Sequence, residues 1–265
     1  LKSPVSADSW TSLRQLTPAR IALGRTGPSL PTTALLEFGI AHAQARDAVH
    51  VPLDVEDLER CLAARAFVRS SGASLRVRSA VTSREEYLRR PDLGRQLERA
   101  SAERLRRWAM AAPVSPRLVL VLADGLSAVA VARHAPPVLE ALHPRLAGWQ
   151  IAPLVIALEA RVALGDEIGE LMGAQQVAIL IGERPGLSAP DSLGIYVTHA
   201  PRVGRTDAER NCISNIRPQG LRPEAAAERL LLLLEGAHRL GGSGVALKED
   251  DDARIPALGT SATPT

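Results

Sequence analysis

The sequence predicts an α/β protein: a mainly helical amino-terminal region followed by an open, mostly parallel α/β sheet of Rossmann-like type. Three observations carry that expectation. Leu118–Ala123, Ile151–Ala157, Val177–Ile181 and Leu193–Thr198 are short apolar runs of the kind that form strands buried on both faces. Segments of helical periodicity alternate with them, the pattern of strand–helix–strand units around a parallel sheet. The character of the chain also changes at Pro113-Val-Ser-Pro116, before which most apolar positions keep helical spacing. The division that follows is 1–112, mainly helical; 113–248, α/β; and 249–265, an acidic then Ala-, Thr- and Pro-rich tail expected to be disordered.

The elements follow in chain order. Thr17-Pro18 has the form of an N-cap with proline at the first helical position, opening a short helix that stops near Gly24. Gly27-Pro28 and Leu30-Pro31 mark a turn. Thr32 or Thr33 then caps a helix to about Val49, with Leu35, Leu36, Ile40 and Ala43 at helical spacing and Arg46 near the end favoured by the dipole. Asp54–Phe67 repeats this style. Leu75, Val77, Ala80 and Val81 give a short strand signal, and helices are expected at Ser83–Arg89 and Asp92–Met110, separated by Pro91. Beyond Leu118–Ala123 a helix runs to about Leu142. Asp166–Met172 forms a short helix ended by Gly173. Arg222-Pro223 opens a long helix that Gly241-Gly242 stops after Leu240, and Val245–Leu247 is available to close the sheet.

Composition narrows the function classes. A chain of 265 residues with 46% apolar and 23% charged residues can bury a substantial core. A net charge of +3 and only 3% aromatics argue against a nucleic-acid surface built on charge and base stacking. The Arg-rich stretch from Arg84 to Arg107 is interleaved with Glu85, Glu86, Glu98 and Glu103, as on a solvated or subunit-facing helix. The longest uncharged run, Leu146–Leu158, contains a proline and is shorter than the roughly 18 residues of a spanning helix. With Cys61 and Cys212 as the only cysteines and no Cys-x-x-Cys, a reducing cytoplasm is the expected setting, with no membrane partner.

Candidate site residues come from position and chemistry. Ligands of open α/β sheets sit beyond the carboxyl ends of the strands, and Asp124 and Glu183 each follow a buried-strand run. Asp124-Gly-Leu-Ser127 reads equally as a turn with Ser127 capping the next helix. In Gly182-Glu-Arg-Pro-Gly186, glycines allow close backbone approach and proline stiffens the loop, so Glu183 becomes a fixed acceptor. The bland alternative for Glu183 is an internal contact with Arg184 or a helix cap. Asp166, Glu167 and Glu170 lack an accompanying histidine and sit where a helix start favours acids, which argues against a metal site. Cys212, in Glu209-Arg-Asn-Cys-Ile-Ser-Asn215, has no base nearby in sequence that would raise its thiolate fraction, so a small residue in a tight polar loop is expected. No Gly-x-Ser-x-Gly, Walker-type loop, full Gly-x-Gly-x-x-Gly or Asp-x-His-x-x-Gly is present.

The stretch Arg161–Pro218, with both polar loops in this order and spacing, resembles the light chain (small subunit) of ethanolamine ammonia-lyase. The likeness continues through Thr17-Pro-Ala-Arg-Ile, Gly24-Arg-Thr-Gly-Pro, Tyr87-Leu-Arg-Arg-Pro-Asp-Leu-Gly-Arg and Asp124-Gly-Leu-Ser, covering roughly Leu16 to Lys248. The resemblance implies an adenosylcobalamin-dependent conversion of ethanolamine to acetaldehyde and ammonia in a hetero-oligomer. The large subunit would hold substrate and catalytic groups, and this chain would cover the cobalamin. By the same resemblance Val162, Glu183 and Cys212 are the cobalamin-contacting positions, and no catalytic or metal-binding residue falls on this chain. It also raises enclosure in a bacterial microcompartment as an alternative to the open cytoplasm. Two other classes stay open from sequence: a cobalamin carrier or chaperone, and a free-standing α/β enzyme with its site at Asp124, Glu183 and Cys212.

Overall fold

The computed structural model describes residues 6, 8, 10–17, 19–63, 65 and 72–247. Its centre is a six-stranded sheet ordered β1-β3-β2-β4-β5-β6. The strands are β1 (Leu75–Arg78), β2 (Leu118–Ala123), β3 (Val155–Leu158), β4 (Gln176–Gly182), β5 (Leu193–His199) and β6 (Arg210–Ile216). From β1 to β4 the pairings are parallel; β4–β5 and β5–β6 are antiparallel. The sheet is thus mostly parallel with an antiparallel flank.

The period-2 alternation of a strand decides which residues face which helices. Leu118, Leu120 and Leu122 of β2 point to one layer, formed by α2 (Val55–Ala63), α5 (Ala128–Leu142) and α7 (Pro223–Leu240). Val119, Val121 and Ala123 point to the other, formed by α4 (Arg99–Ala111) and α6 (Leu164–Leu171). Every residue of β2 and β4 is buried, which explains why Leu118–Ala123 and Val177–Ile181 read as unbroken apolar runs. Two further helices precede the sheet's centre: α1 (Thr32–His50), which buries only Ala41 and Ala48, and the short α3 (Arg84–Arg89). No helix of the described residues is long and apolar enough to cross a membrane.

Local chemistry sets several boundaries. Ser83 caps α3, its hydroxyl accepting from Glu86 N. Ser127 caps α5 in the same way through Ala130 N. Gly241 ends α7 at φ 69°, a left-handed cap that glycine adopts at little cost.

Five expectations change. The segment after Thr17 is not helical in its described part: Thr17 Oγ1 accepts from Ala19 N, and Ala22 and Gly24 take positive φ. A short helical turn lies earlier, at Thr11–Gln15. The helix expected over Asp92–Met110 is broken at Gln96–Glu98, because this stretch is held across the molecule: Leu97 N donates to Glu167 and Glu98 N to the Arg78 carbonyl. The strand expected at Ile151–Ala157 narrows to Val155–Leu158, leaving Ile151 in a single bridge to Leu118. Arg210–Ile216, expected to be a polar loop, is edge strand β6. Val245–Leu247 does not join the sheet; Asn211 takes the Gly244 N–H and donates to the Gly244 and Leu247 carbonyls, fixing a helical turn there. The end of the Asp54–Phe67 helix and the tail from Glu249 lie outside the described residues, whereas β1 within 1–112 pairs with β3 and belongs to the sheet.

Candidate functional site

The chain reverses direction across the sheet after β2. From β2 it crosses to β3 on one side, and from β3 back to β4 on the other. The carboxyl end of β2 is therefore a topological switch point, where diverging connections leave a crevice. An open cleft of about 380 Å³ lies there. It is lined by Gly125 and Leu126 after β2, Arg161 and Val162 after β3, and Glu183 and Arg184 after β4. A second cleft of about 480 Å³ adjoins it, sharing Arg161, Val162 and Tyr196.

Backbone contact locks the loops that frame the first cleft. Leu126 N donates to the Gly182 carbonyl at 3.0 Å. A Cβ on Gly182 would sit 2.1 Å from the Ser127 carbonyl oxygen, and one on Gly125 2.3 Å from that of Gly182. Both positions need glycine for close approach, and Gly125 also for its φ of 54°.

Asp124 turns inward. Its carboxylate accepts from Glu159 N at 2.9 Å and Ala160 N at 3.1 Å, with Arg84 Nη1 at 3.4 Å. Arg84 also pairs with Glu159, so one guanidinium serves two carboxylates. Burial first, then the neighbouring Glu159, pushes the Asp124 pKa up to about 7. Asp124 ties the β2 end to the β3 loop and does not line the clefts. Tyr87, also buried, donates its hydroxyl to the Ala160 carbonyl and stacks between Arg84 and Arg161.

Glu183 faces the cleft. Its two oxygens accept from Asn215 N, each at 3.3 Å, and Gly194 leaves room for its side chain. Among the described residues it forms no ion pair with Arg184, which also lines the cleft. Asn215, at φ 58°, lies on β6, so the antiparallel flank helps to hold Glu183. Cys212 stands opposite Tyr196 in the β5–β6 register. It is exposed, but packing around the sulfur raises its thiol pKa, against a hydrogen bond from Tyr196 that lowers it. Val162, half-buried, lines both clefts, and neither its N–H nor that of Ala163 has an acceptor among the described residues.

Val162 and Glu183 thus share one cleft; Cys212 does not line it, and stands next to it as the strand partner of Tyr196, which does. The acids of α6 are occupied separately: Asp166 by Arg210, Glu167 by Leu97 N and Glu170 by Val203 N.

Residues 7–248 match the family described as ethanolamine ammonia-lyase light chain (EutC). The chain belongs to this family. It is 54% identical over 256 residues to the ethanolamine ammonia-lyase small subunit of Ralstonia nicotianae, covering 96% of this chain and 92% of that one. The corresponding small subunit of Azotobacter vinelandii is 53% identical over 262 residues, covering 98% and 95%. That of Xanthomonas campestris is 53% identical over 255 residues, covering 96% and 91%. As a light chain, this protein is a component of an ammonia-lyase enzyme complex. Sequence reasoning overlooked Tyr196, Asn215 and Arg161 as parts of the site. The signal for the first two lay in strand pairing, which a local reading of a polar, edge-strand segment does not disclose.

Proposed function

We propose that this chain is the small subunit of an adenosylcobalamin-dependent ethanolamine ammonia-lyase, covering the cofactor held against a larger catalytic subunit. The single observation that carries the reading is the switch-point cleft, which Val162, Glu183 and Tyr196, the strand partner of Cys212, line together. The donor set suits a corrin rim bearing amide side chains. The Glu183 carboxylate accepts from amide N–H groups, and the unspent Val162 N–H donates to an amide carbonyl. Gly125, Gly182 and the Val162 side chain supply a close, apolar flank. A corrin macrocycle is broader than either cleft, consistent with one-sided cover and a partner on the opposite face.

Bound adenosylcobalamin supplies radical chemistry through its cobalt–carbon bond; the residues here bind and orient it. Cys212, beside Tyr196 and with its thiol pKa raised by burial, contributes packing at the cleft's edge and no nucleophile to the conversion of ethanolamine to acetaldehyde and ammonia. In this reading 113–248 is the cofactor-contacting, Rossmann-like unit, completed at its edge by β1, and the complex works in the cytoplasm, free or within a microcompartment shell.

The test is reconstitution. The purified chain with adenosylcobalamin and ethanolamine should release no acetaldehyde, and should gain activity with its large subunit. Robust turnover by the chain alone would overturn the proposal in favour of a free-standing enzyme. Tight corrinoid binding by the chain alone, without activation by the large subunit, would favour a carrier.

A further inference from the structure

The second cleft has a chemistry of its own. Four arginines line it, Arg95, Arg161, Arg205 and Arg210, against a single acid, Asp207. Two of the cations are neutralised. Arg205 pairs with Glu209, and Arg210 pairs with buried Asp166 and, at 2.7 Å, with Asp207. The other two are not. Arg161 donates Nη2 to the Tyr87 carbonyl and stacks on that ring, but meets no carboxylate among the described residues. Arg95 is exposed and has no side-chain hydrogen bond or ion pair among them. Buried Gly94 brings the two together: Arg161 N donates to its carbonyl, and a Cβ there would sit 2.9 Å from Arg161 Cγ.

Residues lining this cleft also carry unspent donors. Arg210 is 8% exposed and lines the cleft, yet its Nε has no partner; the Nε of Arg161 is likewise buried and unpartnered. The cleft also meets the start of α6, where the free N–H group of Ala163 lies at the positive end of the helix. Excess guanidinium charge beside unpaired N–H groups is the chemistry that recognises a phosphate oxyanion.

We infer that this arginine-lined cleft is a phosphate-oxyanion site, and that in the assembled enzyme it takes the phosphodiester of the cofactor's nucleotide tail. The choice of that source rests on the cobalamin reading above. The adjoining clefts share Val162, so a ligand whose ring edge lies along Glu183 can place an anionic arm among the arginines. Free inorganic phosphate is the other source of the same chemistry.

Three measurements on R95Q, R95E and the exposed control R106E test this. In the complex with the large subunit, spectral titration should show cobalamin affinity falling about fivefold in R95Q and roughly tenfold in R95E. Cobinamide, which lacks the nucleotide and its phosphate, should bind all variants within about twofold, and R106E should match wild type for both. Millimolar inorganic phosphate should compete with cobalamin but not with cobinamide. With the full chain alone, phosphorus NMR should show phosphate broadening in wild type and R106E but not in R95E. Phosphate binding that R95E abolishes, with equal losses for cobalamin and cobinamide or none, would keep the anion site and assign it to free phosphate. No phosphate effect and no distinction between the corrinoids would overturn the inference while leaving the cobalamin reading intact. A wild-type complex that binds no corrinoid would instead sink that reading, and the phosphate arm would still decide the cleft.

Discussion

The loops after β2 and β4 start from the same sequence logic and end in different roles. Each places an acid directly behind a fully buried strand at the carboxyl edge of the sheet. Asp124 is caught by two backbone N–H groups and Arg84 and is 3% exposed. Glu183, one methylene longer, reaches past Gly194 into the cleft and among the described residues its carboxylate meets only the Asn215 N–H, at 3.3 Å. Position at the carboxyl edge of the sheet is therefore not sufficient to make an acid a candidate site residue. What separates the two is how many donors the neighbouring loop presents.

The comparison breaks most readily at Asp124. Asp124→Ala strands the Glu159 and Ala160 N–H groups and leaves Arg84 with one carboxylate, at an expected cost of about 3 kcal/mol or more. That corresponds to a fall in melting temperature on the order of 10 °C. Its charge also leaves a signature. With the folded pKa raised from 3.8 to about 7, the stabilising contribution is complete below the unfolded value and is lost as pH rises through about 7. Wild-type stability should therefore decline over that window, and Asp124→Asn should flatten the decline. An equally steep pH dependence in the Asn variant would show that another group titrates.

Gly182→Ala attacks the contact between the loops themselves. Its Cβ would meet the carbonyl oxygens of Ser127 and Asp124 at 2.1 and 2.6 Å, so backbone must move. A destabilisation of about 1–3 kcal/mol is expected, together with weaker cofactor binding as the cleft distorts. Unaltered thermal stability would mean that the two loops are less tightly apposed than they are here.

Glu183→Gln sharpens the contrast, because it should separate binding from stability. A charged hydrogen bond is worth about 1.5–3 kcal/mol, so cobalamin affinity of the assembled complex should fall roughly tenfold to a hundredfold. The melting temperature should change little, since Gln retains an acceptor for Asn215 N. A large loss of stability with unchanged affinity would move Glu183 into the same class as Asp124.

The smallest effect is expected at Cys212. Cys212→Ser preserves size and hydrogen-bonding capacity, so turnover at saturating adenosylcobalamin should stay within about threefold of wild type. Burial raises the thiol pKa, and alkylation by iodoacetamide near neutral pH should accordingly be slower than for a simple free thiol. A loss of several orders of magnitude in the serine variant, with cofactor still bound, would give the thiol a chemical role.

The central strands and the helix start at Ser127 were legible in the sequence because their determinants are local, whereas the cap expected at Thr32 or Thr33 is not formed and α1 begins behind Pro31 with no side-chain cap. Leu118–Ala123 is unbroken apolar sequence since both faces of β2 are covered, and Ser83 and Ser127 each satisfy an N–H three residues on. The edge strand β6 was not legible. Its burial follows no simple alternation: Arg210 and Ile213 are buried on opposite faces, against Asp166 and the apolar core respectively, and a register shift between Ile213 and Ile216 returns Ile216 to the core side. The polar Asn211-Cys-Ile-Ser-Asn sequence carries strand pairing with β5 that depends on a partner more than ten residues away.

By itself, the sequence determined the family, the α/β class, the core strands and the helical punctuation, since motifs, apolar runs and caps act over a few residues. Tertiary structure alone decided which acid faces solvent, which arginines lack a carboxylate and how Tyr196 and Asn215 join the site. These depend on pairings between distant segments, and the free energy of a buried or unpaired charge is fixed by what the rest of the fold brings beside it.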